Sequence, residues 1–126
     1  MLIDRHSPKV AAIVDWELTT IGDPLLDLGH LLSSWPTPGG EAITPVAGAT
    51  GLATADEVIA RYGAQVDRDL EDLPWFRVLA CYRLGIILEG SHARAFSGLT
   101  PVEIGDRLHA HTLMLFVQAA ELIDSS

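Results

Sequence analysis

Residues 9–35, KVAAIVDWELTTIGDPLLDLGHLLSSW, constrain this chain more than any other stretch, because they set four carboxylates between an apolar run and a leucine-rich helix. Residues 10–14 are apolar and rich in β-branched side chains, with Pro8 before them and charge after, which predicts a mostly buried strand. Asp15 comes straight off its end. Side chains alternate along extended backbone, so Asp15 and Glu17 point to one side if strand geometry continues that far. Gly22-Asp23-Pro24 predicts a helix start, with Asp23 as N-cap and Pro24 at the first helical position. Asp27 lies one turn further on, where the helix macrodipole favours negative charge. Capping accounts for Asp23. It does not account for Asp15, which stands at the carboxyl end of a strand, where ligands and metals collect.

The net charge of −9 leaves no basic patch for nucleic acid or anionic lipid, so any phosphate handled here needs a metal. No apolar run is long enough to span a bilayer, and the opening MLIDRH lacks the apolar core of a signal peptide. A cytoplasmic setting without membrane contact is the expectation. The lone Cys81, in LACYRLG, has no partner for an internal disulfide and reads as a buried structural thiol.

With 126 residues, the chain has room for one domain. Met1-Leu2-Ile3 and residues 10–14 form a hairpin across a turn-prone 4–8 segment, so residues 1–17 are a hairpin with its metal-ligand segment. A hairpin is marginal alone, and the expectation is a single partial domain with a segment missing upstream. Helices are expected over 23–35, 55–63, 73–97 and 101–124, with a loop over 41–53. Thr54 and Glu57 make a capping box, and Thr100 and Glu103 a second one with Pro101 at the first helical position. The third helix is apolar almost all round, which predicts a central position, with Gly85 and Gly90 compensated by close helix packing. The fold class is mainly α with a small N-terminal β-hairpin.

Of the five histidines, His6, His30, His92, His109 and His111, none has a second His four residues away, and His109 and His111 diverge on a helix. That spacing argues against a His-based metal site. The chain has no G-x-S-x-G, no G-x-x-x-x-G-K-[ST] loop and no G-x-G-x-x-G. What remains is carboxylate chemistry with a hard cation: Asp15, with Glu17 as second candidate ligand, suits Mg²⁺. Glu89, inside the apolar helix, reads as a buried polar group or an acceptor contact, with His92 and Arg94 as alternative pairing partners. Glu41, Glu57, Glu71, Asp72 and Glu103 read as a solvated face.

Strand, D-W-E, a short loop, G-D-P-L-L-D-L and a leucine-rich helix together resemble the metal-binding segment of the aminoglycoside phosphotransferase and choline kinase-like family. The resemblance is in particular to kinase-like domains related to those attached to some acyl-CoA dehydrogenases, whose long core helix W-F-R-V-L-A-C-Y-R-L-G-I-I-L-E-G-S-H-A-R resembles. The resemblance implies the back half of the C-lobe of a protein kinase-like fold. It gives Asp15 the place of the Asp in D-F-G, which holds Mg²⁺ on the ATP phosphates, with Trp16 for the Phe and Glu17 for the Gly. Asp27 resembles the aspartate that ties the catalytic loop to the following helix, and Asp23 a structural cap. Glu89 and His92 are the candidate acceptor-side residues from their place in the long helix, not from a family motif.

In that family an H-G-D-x-x-x-x-N loop supplies the catalytic Asp and a second Mg²⁺ ligand, and an N-terminal lobe supplies a phosphate-binding Lys. None of these is in this chain, and MLID resembles the strand that directly follows that Asn, so the resemblance implies that Met1 stands just past the loop. The complete enzyme is expected to use ATP and Mg²⁺ on a small-molecule hydroxyl acceptor. The chain alone is expected to contain no catalytic residue and not to turn over. A competing reading is a non-catalytic helical remnant that forms a homodimer through exposed apolar surface. A Mg²⁺-dependent phosphohydrolase built on Asp15 and Glu17 is a distant third.

Overall fold

A computed structural model describes residues 1–7, 9–16, 19–36 and 51–125. Strands β1 (Leu2–Ile3) and β2 (Val10–Ala12) pair antiparallel, Leu2 opposite Ala12 and Ile3 opposite Val10, with an irregularity between the two pairs. The Asp4 carboxylate organises the turn by accepting from the His6 amide at 2.7 Å and the Ser7 hydroxyl at 3.2 Å. The expected buried strand over 10–14 is corrected here. β2 stops at Ala12, every described residue of the run is exposed, and Ile13 keeps 61% of its surface. The reason is that two strands bury nothing by themselves, and the main contacts of this pair are internal.

Among the described residues four helices follow: α1 (Leu25–Ser33), α2 (Ala55–Gly63), α3 (Leu73–Phe96) and α4 (Val102–Asp124). The leucine spacing of α1 puts Leu25, Leu28 and Leu32 on one face, where they meet Leu73 and are covered by Val58, Ile59 and Tyr62 of α2 and by Leu70 and Phe76. Each such leucine removed from water contributes roughly 1.5–3 kcal/mol. The capping box of α2 closes reciprocally: the Thr54 amide donates to Glu57 Oε2 at 2.7 Å and the Glu57 amide to Thr54 Oγ1 at 3.2 Å. The second box does not form. At α4 the cap position falls on Pro101, at ψ 137° outside the helix, and a proline ring carries no acceptor. Of the 41–53 loop only 51–53 are among the described residues.

α3 packs on α1 with one side and on α4 with another, the central place its sequence predicts, but a third side stays in solvent, with Trp75 at 61% exposure. Small residues set both approaches. A Cβ on Gly29 of α1 would come 2.8 Å from the Phe76 carbonyl oxygen, and one on Gly85 of α3 would come 2.6 Å from the Phe116 ring. Gly105 of α4 sits against the Ala95 methyl. Gly90 has nothing within 4 Å of its missing side chain, so the close packing expected at both α3 glycines holds at Gly85 only. Thr112, buried, donates towards the carbonyls of Gly85 at 3.2 Å and Leu108 at 3.1 Å. Cys81 is fully buried in this core, and burial pushes its thiol above the ordinary range, as an inert structural cysteine requires. No helix among the described residues is long and apolar enough to cross a membrane.

Candidate functional site

Beyond β2 the chain turns sharply. Trp16 Nε1 donates to the Ile13 carbonyl at 2.8 Å, and the Thr19 amide donates to the Trp16 carbonyl at 3.0 Å. Between them Asp15 is held at φ 76°, in the left-handed region. Asp enters that region more readily than most residues, yet such a conformation costs on the order of 1–3 kcal/mol and persists where surrounding structure or function demands it. Extended geometry therefore ends before Asp15, so alternation no longer puts Asp15 and Glu17 on one side. Glu17 lies outside the described residues, as does Glu41.

The turn forms one wall of an open cavity of about 580 Å³. Asp15, Trp16, Thr19 and Thr20 line it from the turn, Asp23, Asp27 and His30 from the start of α1, and Ala80, Arg83 and Ile87 from α3. The helical spacings explain the convergence: Asp27 and His30 are one turn apart on α1, and Ala80, Arg83 and Ile87 recur on one face of α3. Three of the four carboxylates singled out in the sequence thus line one cavity, Glu17 being the undescribed fourth.

Their environments differ. Asp23 accepts from Arg68 Nη2 at 2.8 Å and from the Leu25 amide at 2.8 Å. The hydrogen bond from the Arg68 guanidinium, then that from the amide, hold its carboxyl below the ordinary 3.8. The cap position falls on Pro24, with helical angles, one residue after the expected Asp23, whose carboxylate reaches the helix start only through the Leu25 amide. Asp27 is exposed, and its carboxylate accepts no hydrogen bond among the described residues. Asp23 is thus engaged, while Asp15 and Asp27 can face a ligand. No third His, Cys, Asp or Glu joins Asp15 in a compact ligand set among the described residues. A single carboxylate such as Asp15, unengaged among the described residues, fits Mg²⁺, which takes one or two carboxylates and completes its shell with phosphate oxygens and water.

Arg68, Arg83 and His30 were not picked out from the sequence as parts of this site. For Arg83 a signal existed, the spacing of Ala80, Arg83 and Ile87, but it stood inside a helix apolar on most sides. Arg68 comes from 45 residues away and had none. Glu89 and His92 line a different side of α3. Glu89 Oε1 lies 3.1 Å from His92 Nδ1, and Oε2 lies 2.8 Å from Nδ1 of His109 on α4. Hydrogen bonds from His109 and then His92 keep the Glu89 carboxyl below its ordinary 4.5. Arg94 is not its partner.

Compared with known proteins, residues 1–76 match the family described as "Phosphotransferase enzyme family". Over 96 residues the chain is 32% identical to acyl-CoA dehydrogenase family member 11 of Rattus norvegicus, an alignment covering 71% of this chain and 12% of that protein. Over 108 residues it is 28% identical to acyl-CoA dehydrogenase family member 10 of Mus musculus, covering 78% of this chain and 10% of that one. The chain therefore spans only about a tenth of the length of these relatives. No solved structure matches.

Proposed function

The chain belongs to the phosphotransferase enzyme family, and from that premise we propose that it carries the metal-ligand part of an ATP- and Mg²⁺-dependent phosphoryl transfer to a hydroxyl of a small molecule. The observation that carries this reading is Asp15, a carboxylate held in the left-handed region at the rim of a cavity whose walls come largely from the family-matched segment. Strained backbone is retained where a side chain must be aimed. Asp15 would hold Mg²⁺, which when bound supplies charge neutralisation for the nucleotide phosphates, while Asp27 keeps the structural role its position suggests. Arg83 offers a guanidinium, matched in shape to phosphate oxygens, from the opposite wall. Arg68 pins Asp23 and with it the start of α1, so the far end of the Asp15 segment is anchored.

The chain by itself transfers nothing in this reading, because positioning and charge stabilisation carry phosphoryl transfer and these 126 residues hold no H-G-D-x-x-x-x-N loop. The test uses Mn²⁺ as a paramagnetic stand-in for Mg²⁺, with ATP. Broadening of the Asp15, Trp16 and Thr19 amide signals that disappears in Asp15→Asn supports the assignment. Broadening unchanged in that variant refutes it. ATP-dependent phosphorylation of an aminoglycoside or choline by this chain alone would refute the predicted inactivity. A cytoplasmic setting belongs to the same reading and is checked by fractionation.

A second reading, self-association, is favoured by the uncovered side of α3 and α4. Trp75, Tyr82, Phe116 and Ile123 line an open apolar groove there, each well exposed. A second copy is its proposed occupant. Sedimentation at low micromolar concentration that returns only monomer refutes this.

A further inference from the structure

The α3–α4 interface brings together residues that lie far apart in the sequence. Glu89 and His92 are three apart on α3 and share a face. The seat of Gly105 against Ala95 fixes the register of α4, and that register sets His109 opposite Glu89. We propose that Glu89, His92 and His109 form a divalent transition-metal site of the zinc class that clamps α3 to α4, with Asp106 as the outer partner of His92.

The donor set is two imidazole nitrogens and one carboxylate oxygen, which selects borderline cations such as Zn²⁺ or Co²⁺ over the hard Mg²⁺ and Ca²⁺. One ligand atom from each residue lies within 4.8 Å of the other two, and the imidazoles approach different oxygens of Glu89, His109 Nδ1 at 2.8 Å from Oε2 and His92 Nδ1 at 3.1 Å from Oε1. Ligands at the usual bond lengths around a tetrahedral zinc stand about 3.4 Å apart, so a cation seats by side-chain rotations that bring separations of at most 4.8 Å to that spacing. The surroundings hold the rings for that geometry. His92 and His109 stack with centroids 4.5 Å apart and planes 26° apart, and Phe96 meets His92 edge-on at 5.2 Å.

The far nitrogen of His92 adds a second observation. Nε2 lies 3.7 Å from Asp106 Oδ1, just beyond hydrogen-bond length, so a short approach of this exposed carboxylate would give the outer support usual for a metal-bound histidine. Without a metal, both Nδ1 atoms must carry hydrogens to satisfy Glu89. With one, both Nδ1 atoms are bare and His92 turns an Nε2–H towards Asp106. The position of the protons therefore reports which state exists. Glu89 and His109 are 44% and 40% exposed at the side chain, which leaves a side open for a water as the fourth ligand. The cluster stands apart from the Asp15 cavity, whose α3 wall is Ala80, Arg83 and Ile87.

The experiment titrates the untagged chain with Co²⁺, followed by visible absorption. A saturable 1:1 spectrum of a four- or five-coordinate nitrogen and oxygen site is expected, displaced by equimolar Zn²⁺ and untouched by a thousandfold excess of Mg²⁺. Nitrogen-detected NMR of the Zn²⁺-loaded chain should show Nδ1 bound and Nε2 protonated at both histidines. That measurement on the unsubstituted protein reads the ligand atoms whether or not a variant folds. Glu89→Gln and His109→Ala are expected to abolish the saturable spectrum, and Asp106→Asn to weaken binding by about 10–100-fold. The proposal is overturned by the absence of saturable binding, by a spectrum that survives both ligand substitutions, by one lost in Asp15→Asn, or by Nδ1–H retained at both histidines in saturating Zn²⁺.

Discussion

Helix α3 carries two chemically different faces. Towards α1 it contributes Ala80, Arg83 and Ile87 to an open cavity of hard oxygen donors that comes mostly from one continuous stretch of sequence. Towards α4 it contributes Glu89 and His92 to a compact nitrogen and oxygen cluster completed by His109, twenty residues from Glu89. The first face is assembled by chain order, the second by helix packing. A site of the first kind announces itself as a motif, whereas one of the second kind exists only once a register between helices is fixed.

The largest expected effects come from the packing beneath each face. Leu115, fully buried at the α4 side, and Leu25, buried with Leu28, Leu32 and Leu73 at the α1 side, should each cost about 2–5 kcal/mol on substitution by alanine in urea unfolding. If the two faces belong to one cooperative unit, each variant shows a single transition by both circular dichroism and tryptophan fluorescence. Two transitions in Leu25→Ala would separate the faces.

Next come the glycines of the α4 side. Gly105→Ala forces a methyl onto Ala95 and should destabilise by about 1–3 kcal/mol despite alanine's better helix propensity. Gly90→Ala meets nothing and should stabilise by about 1 kcal/mol. Thermal unfolding of the pair reads the opposite signs directly.

On the cavity side, acid exposes a smaller effect. The folded Asp23 carboxyl is held below its ordinary 3.8 by Arg68 and the Leu25 amide, so its stabilisation is fully present above that pH and is lost as pH falls through the lower folded value. Glu57, held below 4.5 by the Thr54 amide and then the Thr54 hydroxyl, behaves in the same sense. Asp23→Asn should therefore flatten the fall in stability below about pH 4, measured by urea midpoints across pH. An unchanged acid slope would remove Arg68 from the anchoring of α1. Smallest of all, Ile13→Thr in the exposed hairpin should shift stability by no more than about 0.5 kcal/mol. A larger loss would mean that something covers the strand.

Much of the fold was legible because it is dictated locally. The helices over Leu25–Ser33, Ala55–Gly63, Leu73–Phe96 and Val102–Asp124 follow from apolar spacing and from Gly and Pro punctuation, whose physics acts within one or two turns. The Thr54–Glu57 box closed as written, while the Thr100 box failed by one position because Pro101 occupied the cap. The histidines show the limit. A search for His pairs four apart finds none, yet His92 and His109 stack, since they stand at similar distances on either side of the turn before Pro101. An antiparallel reading of α3 and α4 about that turn would have paired them.

The sequence by itself determined the family, the helices and the run of carboxylates from Asp15 to Asp27, because motifs and periodicities are properties of neighbours along the chain. Only tertiary structure decided that β2 lies exposed, that Asp23 is taken by Arg68, and that Glu89 meets His109. Burial and register are set by which surfaces meet, and here small contacts decide that: Gly29 against Phe76, Gly85 against Phe116 and Gly105 against Ala95 leave the helices one way to approach.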